Sequence, residues 1–369
     1  MKKIKILTLS TSGLGKKEGI STVILDNYAL FDKERFQLDM IASGDYSYQL
    51  ISEFQNIGVN IKCLPSRKNS VIHYITALIK LMKKEKYDAV YLHGSSAILS
   101  IELVIAKMCG CEIRVVHSHN TTCDHKMADK ILRPFFYRNY TVALACGREA
   151  GQWLYGKRPF DIIKNGRNTK VYAFDSDKRI YMREELGLHD DTIALGHVGN
   201  FNAQKNQAFL LDVLEQLLKV ECNLKLYLMG DGKTRESIMQ MADDRGLSQY
   251  IVFTGSIQNV PDMLQAMDLM LLPSLHEGLP LVAVEWQMMG LPCVLSDRIT
   301  KECAFTDTVN FLPIDSAEKW KNFILDSKDI SNNRVSASEK AITTAKEIGY
   351  DLQENAQKLQ QYFERGDKQ

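Results

Sequence analysis

The sequence predicts an α/β protein of two doubly wound domains, each built on a parallel sheet. Three observations carry this. Apolar strand-like runs alternate with helical patterns through the first half, as βαβ units require. The rhythm breaks at "NGRNTKVYAFDSDKR", near residues 165 to 190, and then restarts. The length of 369 residues exceeds one ordinary domain and suits two with full hydrophobic cores.

The elements follow in order. "KIKILTLS" reads as a first strand rather than a signal segment, because its apolar run is short, contains a lysine and ends in turn residues. A helix follows from about Ser21, then strands at "FQLDMIA", "NIKCLP", "DAVYLHG", "EIRVVHSHN", "VALACG" and "DIIKNG". The second series is "TIALGHVGNF", "LKLYLMGDG", "YIVFTGS", "LMLLPS" and "LPCVLSD". The segment from "SEKAITTAKE" to "QQYFERG" has helical periodicity. The expected boundaries are 1–175 for the first domain and 176–344 for the second, with a helix at about 345–369 packing back on the first. Loops at the carboxyl ends of two such sheets are expected to face each other across a cleft that holds a large polar ligand.

Composition excludes several classes. No run of about 18 uncharged apolar residues exists, so no segment is expected to span a membrane. The eight cysteines show no zinc-ligand spacing and read as scattered reduced thiols of a cytoplasmic protein. A net charge of +1 argues against a nucleic-acid binder. The charge is unevenly placed, however. Residues 1–175 hold 26 Lys and Arg against 16 Asp and Glu, and residues 176–369 hold 20 against 29. The first half alone is therefore suited to an anionic surface. Two of its segments combine apolar and basic residues. "IHYITALIKLMKKEKYD" sets Ile72, Ile75, Leu78, Ile79 and Met82 on one helical face. "HKMADKILRPFFYRNY" mixes Lys126, Lys130, Arg133 and Arg138 with Phe135, Phe136 and Tyr137. For the first, packing of the apolar face on the sheet is the stronger reading.

Chemistry concentrates in "LPSLHEGLPLVAVEWQMMGLPCVLSD", where Glu277 and Glu285 lie in a strongly apolar stretch. "LMLLPS" is a buried strand, "LHEGLP" a loop and "LVAVEWQMM" a helix ended by Gly290 and Pro292. A buried carboxylate needs a partner. Spacing alone leaves two readings open: a carboxylate held by a ligand, or a narrow solvated face with Glu277 on a surface loop. Gly278 lets backbone approach a ligand, and the uncapped N–H groups at the helix start attract anions. "GHVGNFNAQKN" is a strand, a glycine loop and then Lys205 before a helix, a layout suited to phosphate. "GLGKKEG", with Gly13, Gly15 and Gly19, misses the dinucleotide pattern G-x-G-x-x-G because its third glycine falls one position late.

Taken in order, "GHVGNFNAQKN", "LYLMGDGKTRE", "VFTGSIQNVPDML" and "HEGLPLVAVEW", together with "EGISTVI", "HSHNTT" and "DIIKNGRN", resemble the retaining glycosyltransferases of family 4. That family has the GT-B fold of two Rossmann-like domains, and the subgroup most similar here makes bacterial capsular and exopolysaccharides. The resemblance covers nearly the whole chain. It implies transfer of a hexose or N-acetylhexosamine from a UDP-sugar, with retention, to a lipid-linked or saccharide acceptor. The nucleotide sugar is then a substrate, and neither cofactor nor metal is implied. The protein would be cytoplasmic, resting peripherally on the anionic inner face of the cell membrane.

By the same resemblance Glu285 binds the ribose hydroxyls and Glu277 meets the donor sugar. Gly278 and Leu279 cradle sugar and diphosphate, Lys205 neutralises the diphosphate, and Ile257 lies at the nucleobase. Gly19 touches the diphosphate from the first domain. His117 and His119 flank the place of the active-site histidine, His117 being favoured because it follows the strand directly. Two positions depart from the pattern: Asn200 stands where an arginine is usual, and Glu18 where a glycine is usual. Loss of a preorganised donor can cost about 10²–10³ in rate. Asn200 keeps a non-catalytic regulatory GT-B partner in view, and, because fold does not fix function, a nucleotide-sugar epimerase on the same scaffold is the other alternative.

Overall fold

The computed structural model describes residues 2–11, 13–14, 19–44, 46–221, 223–327 and 333–364. The chain divides into two compact units, Met1–Gly166 with Gly349–Gln369, and Arg167–Ile348.

The first unit carries seven parallel strands: β1 (Ile4–Ser10), β2 (Phe36–Ser43), β3 (Asn60–Leu64), β4 (Ala89–His93), β5 (Ile113–Ser118), β6 (Val142–Ala145) and β7 (Asp161–Ile162). Their order is β3-β2-β1-β4-β5-β6-β7. Every residue of β4, "AVYLH", is buried, as a central strand covered on both faces should be. Alternate residues feed separate cores. Leu7, Leu9, Val90 and Leu92 join Leu78, Met82 and Phe136, whereas Ile6, Ala89 and Tyr91 join Tyr28, Phe36 and Phe54. The helix Leu352–Glu364 contributes Leu359 and Phe363 to the second of these cores. It is parted from the preceding helix, Arg334–Glu347, at Gly349, whose φ of +87° suits glycine.

The second unit has six parallel strands: β8 (Ile193–Val198), β9 (Leu224–Met229), β10 (Ile251–Gly255), β11 (Leu269–Leu272), β12 (Cys293–Ser296) and β13 (Val309–Leu312), in the order β10-β9-β8-β11-β12-β13. The edge strand β13 is the one the sequence pattern did not single out. Its four residues are only partly buried and it pairs on one side, so its hydrophobic signal is short and weak. Arg334 ties this unit together. It is 2% exposed, and its guanidinium donates to the carbonyls of Leu264, Gln265, Met267 and Met289, satisfying helix ends that would otherwise be buried without donors.

Strand order reverses direction between β1 and β4 in the first unit, and between β8 and β11 in the second. These switch points are where loops diverge and leave room for ligand at the carboxyl ends of the strands. In the second unit two loops meet there at backbone distance. A Cβ on Gly230 would sit 2.1 Å from the carbonyl oxygen of Gly199, and one on Gly232 2.4 Å from that of Phe201; their φ angles are +142° and +153°. Gly230→Ala is expected to lower unfolding stability by more than about 2 kcal/mol in denaturant titration, since it adds both strain and a backbone clash. Gly246→Ala, at φ +68° with open space around it, is expected to cost less.

Candidate functional site

In the second unit the candidate residues gather on the two loops that flank the β8/β11 switch point. After β8 the chain turns through Gly199, Asn200 and Phe201, and Asn202 accepts from the Lys205 N–H at 2.9 Å. Asn206 follows in the left-handed region, φ +54°, and starts the helix Gln207–Leu218. A Cβ on Gly199 would lie 3.2 Å from both Cδ and Cε of Lys205, so the glycine makes space for the lysine stem. Buried His197 fixes the strand end: its Nδ1 donates to the Leu271 carbonyl at 2.8 Å, which leaves Nε2 facing the Gln207 amide at 3.3 Å. Burial holds its pKa down at about 4, so the ring is neutral near pH 7.

After β11 the loop carries Glu277, Gly278 and Leu279 into the helix Leu281–Met288. Lys205 Nζ lies 2.7 Å from Glu277 Oε1, with both side chains mostly buried. The helix start has no side-chain cap, so its first N–H groups remain available to an anion. Gly278 is exposed, whereas Leu279 packs on the core that also holds Ile257 and Trp286. Asn200 is exposed and uses its carbonyl oxygen, not its side chain, to receive the Gln207 amide at 3.0 Å.

Glu285 has a partner that sequence spacing did not identify. The residue is 7% exposed, on a helix whose last six positions are all buried, and its Oε1 accepts from Arg167 Nε at 2.6 Å. Arg167 belongs to "NGRN", 118 residues away, and is 6% exposed. The available signal was the general rule that a buried acid pairs with a base; which base depends on the fold.

In the first unit, His93, His117 and His119 stand together at the carboxyl ends of β4 and β5. Tyr91 Oη lies 2.7 Å from His117 Nδ1 and the Ile163 carbonyl 3.2 Å from its Nε2, so both ring nitrogens of this buried residue are engaged. Burial holds its pKa at about 4. His119 is partly exposed. Its Nε2 meets His93 Nδ1 at 2.8 Å, and its Nδ1 has no hydrogen-bond partner. Burial, and then the neighbouring His117, hold His119 below the ordinary histidine range. Ligand atoms of the three lie within 4.8 Å of one another, the only such group of three or more metal-ligating side chains among the described residues. The His119 ring is stacked on the other two, 18° from His93 and 29° from His117. Gly19 opens the helix Gly19–Ala29, with nothing within 4 Å of the position a Cβ would take. Gly15 and Glu18 lie outside the described residues.

The two basic segments of the first unit differ. The helix Val71–Glu85 buries Tyr74, Leu78 and Met82, and packs Ile75 and Ile79 against the same core. The helix Lys126–Asn139 instead exposes Met127 by 76%, Ile131 by 63% and Phe135 by 54%, at four-residue spacing on one face. Arg133 is not part of that face. It pairs with Asp129 at 2.8 Å and donates to the carbonyls of Trp153 and Leu154, while Phe136 is fully buried.

Removal of the Arg167 guanidinium takes away the cation that Glu285 Oε1 meets in the interior. Arg167→Ala is expected to cost about 3–5 kcal/mol in chemical denaturation, with Glu285→Gln costing less. A double-mutant cycle should show coupling of about 1 kcal/mol or more, and additive single effects would mean that the pair carries no stability.

Comparison with known proteins places this geometry in context. Residues 192–325 match the family model described as glycosyl transferases group 1. The glycosyltransferase EpsF of Bacillus subtilis is 28% identical over 297 residues, covering 77% of each chain. The Escherichia coli UDP-Gal:alpha-D-GlcNAc-diphosphoundecaprenol alpha-1,3-galactosyltransferase is 27% identical over 77% of this chain and 78% of its own. The capsular polysaccharide biosynthesis glycosyltransferase CapH of Staphylococcus aureus is 25% identical over 87% and 91%. Among solved structures, Anabaena Alr3699/HepE in complex with UDP superposes with a TM-score of 0.79 at 17% identity, over 98% of this chain and 100% of that one.

Proposed function

We propose that the chain is a GT-B glycosyltransferase of the family 4, group 1 type acting in polysaccharide biosynthesis, and that it moves a hexose or N-acetylhexosamine from a UDP-sugar, with retention, to a lipid-linked or saccharide acceptor. The observation that carries this reading is the Lys205–Glu277 ion pair beside the uncapped helix Leu281–Met288, at the switch point of the second unit. The UDP in the Anabaena structure and the UDP-sugar and diphosphoundecaprenol acceptor in the name of the E. coli relative support it.

In this scheme the positive end of the helix and the Lys205 ammonium receive the diphosphate. Lysine has three donors, so Lys205 can keep Glu277 while it binds a phosphate oxygen. Negative charge develops on the leaving diphosphate in the transition state, and both groups are fixed there beforehand, so they lower the barrier without reorganisation. Glu277, held by Lys205, presents its carboxylate to donor-sugar hydroxyls. Glu285, oriented by Arg167, accepts from ribose hydroxyls. Gly278 and Leu279 follow the sugar and diphosphate with backbone, and Ile257 supplies an apolar surface for the base. Gly19 is the first-unit residue to which this reading gives a diphosphate contact. His119 is the sugar-facing histidine in this reading, because His117 is buried with both nitrogens engaged. Asn200 contributes no charge, which leaves Lys205 as the principal cation. No metal or cofactor takes part.

Donor binding is read by thermal shift of the whole chain. UDP at about 100 times its dissociation constant should add about 2.7 kcal/mol and raise the midpoint by a few degrees, with GDP, ADP and NAD giving less. Glu285→Gln, which keeps size and removes charge, should weaken the shift. Lys205→Ala should lower kcat/KM for transfer by about 10²-fold or more. A wild-type protein indifferent to UDP would defeat the donor reading.

The same proposal places the enzyme on the anionic inner face of the membrane through the helix Lys126–Asn139. Its exposed Met127, Ile131 and Phe135 supply apolar area, and Lys126, Lys130 and Arg138 supply charge at about 1 kcal/mol per residue near the surface. Ile131→Glu with Phe135→Glu should abolish co-sedimentation with phosphatidylglycerol vesicles while leaving the UDP shift intact. Unchanged sedimentation would exclude this face.

A further inference from the structure

The connection between β12 and β13 is built unlike the others of the second unit. Parallel strands are joined by a crossover that is usually an α-helix, which satisfies its own backbone. Residues 297–308 instead hold only the one-turn helix Lys301–Cys303. Backbone groups along such a connection need partners from elsewhere. Gln287, on the helix Leu281–Met288 and 0% exposed, supplies them with both ends of its amide. Its Nε2 donates to the carbonyls of Ala283 and Cys303, each at 2.8 Å. Its Oε1 accepts from the Phe305 N–H at 2.8 Å, the Thr306 N–H at 3.1 Å and the Thr306 hydroxyl at 3.2 Å.

Glu285 leaves the same helix on the other side. Successive helical residues turn by about 100°, so positions two apart point about 200° from one another. Arg167 therefore holds the helix by Glu285 on one flank, at 2.6 Å, and the β12–β13 connection holds it by Gln287 on the opposite flank. Apolar packing is non-directional and sets the rotation of a helix about its axis only loosely, whereas hydrogen bonds weaken steeply with angle. Two polar anchors on opposite flanks fix that rotation. A helix with its side chains is about 10–12 Å across, so a turn of about 10° moves a carboxylate at its surface by about 1 Å. The range of a good O–H···O bond, about 2.5–3.0 Å, is half that wide.

We propose that Gln287 is a positioning residue of the donor site: by clamping the helix Leu281–Met288 against residues 303–306, it sets the direction in which Glu285 faces its ligand. The ribose role of Glu285 belongs to the donor reading, on which this proposal rests; the clamp itself rests on the bonds of Gln287.

Isothermal titration of the full chain with UDP and with 2′-deoxy-UDP reads the clamp. An acceptor fixed at the ribose should make the wild type prefer UDP by about tenfold, and Gln287→Met, similar in size but without the amide, should narrow that preference to about twofold. A residue that only supported the fold would weaken both ligands alike and leave the ratio as it was. In a Glu285→Gln background, Gln287→Met should narrow the ratio no further, because both act through one carboxylate. Thr306→Val removes one bond to Gln287 and decides the matter if Gln287→Met does not fold; it should narrow the ratio in the same direction to a smaller extent. A folded Gln287→Met or, failing that, Thr306→Val that retains the full preference would overturn the proposal, as would a wild type that binds UDP and its deoxy analogue equally. A wild type that binds neither nucleotide removes the donor reading and the positioning role together.

Discussion

The constraint on which the second unit depends is that Glu285 puts a carboxyl group in a place with almost no water. Six consecutive residues of its helix are buried, so neither rotation nor fraying can bring the carboxylate to solvent. The helix can therefore hold this residue only if a cation is delivered to it, and the structure delivers Arg167 from the segment at which the unit begins. Such a pair gains little net stability over an apolar one, since both ions lose hydration. What it gains is position: a carboxylate held at a known place, on a helix whose start is next to the Lys205–Glu277 pair. That cost is reasonable where binding needs a fixed acceptor and wasteful anywhere else.

Parallel-sheet topology explains why these groups are neighbours at all. Lys205 follows β8 and Glu277 follows β11, more than 70 residues apart in sequence by the Gln204–His276 contact between their loops. The order β10-β9-β8-β11-β12-β13 makes the two strands adjacent while their helices leave on different sides, and the loops open over the same gap. The close approach of Gly230 to Gly199 then fixes the height of one loop against the next. Glycine at these positions is a matter of clearance, since any side chain would strike backbone oxygen.

Much of this was legible in the chain. Strand starts, the alternation that sets fold class, and the loop-to-helix passage at "LHEGLPLVAVEW" all follow from local rules of periodicity and turn chemistry, and local rules can be read from sequence. Pairings were not legible. Nothing local distinguishes Arg167 from the other basic residues of the first half, or shows that Arg133 turns inward to Asp129 and the carbonyls of Trp153 and Leu154. The histidines illustrate the limit in another way. His117 follows its strand directly and so invites selection, but a residue on a strand between two neighbours has its ring nitrogens claimed by Tyr91 and Ile163. His119, past the strand end, retains an unengaged nitrogen.

Asn200 sharpens the same argument. An arginine there would place a second cation in the loop that Lys205 follows, and asparagine offers only a neutral side chain. Its backbone is nevertheless fixed, since Gln207 donates to its carbonyl and also approaches the His197 ring that anchors β8 to β11. The loop is thus held in shape by neutral hydrogen bonds, and its charge rests on Lys205 alone. Lys205 spends one donor on Glu277 and keeps two for an entering diphosphate, so the carboxylate that meets the sugar and the phosphate that leaves with the nucleotide share one ammonium group. Binding of the phosphate and of the sugar are coupled through one ammonium group, and a site built this way favours a ligand that brings both over one that brings either alone.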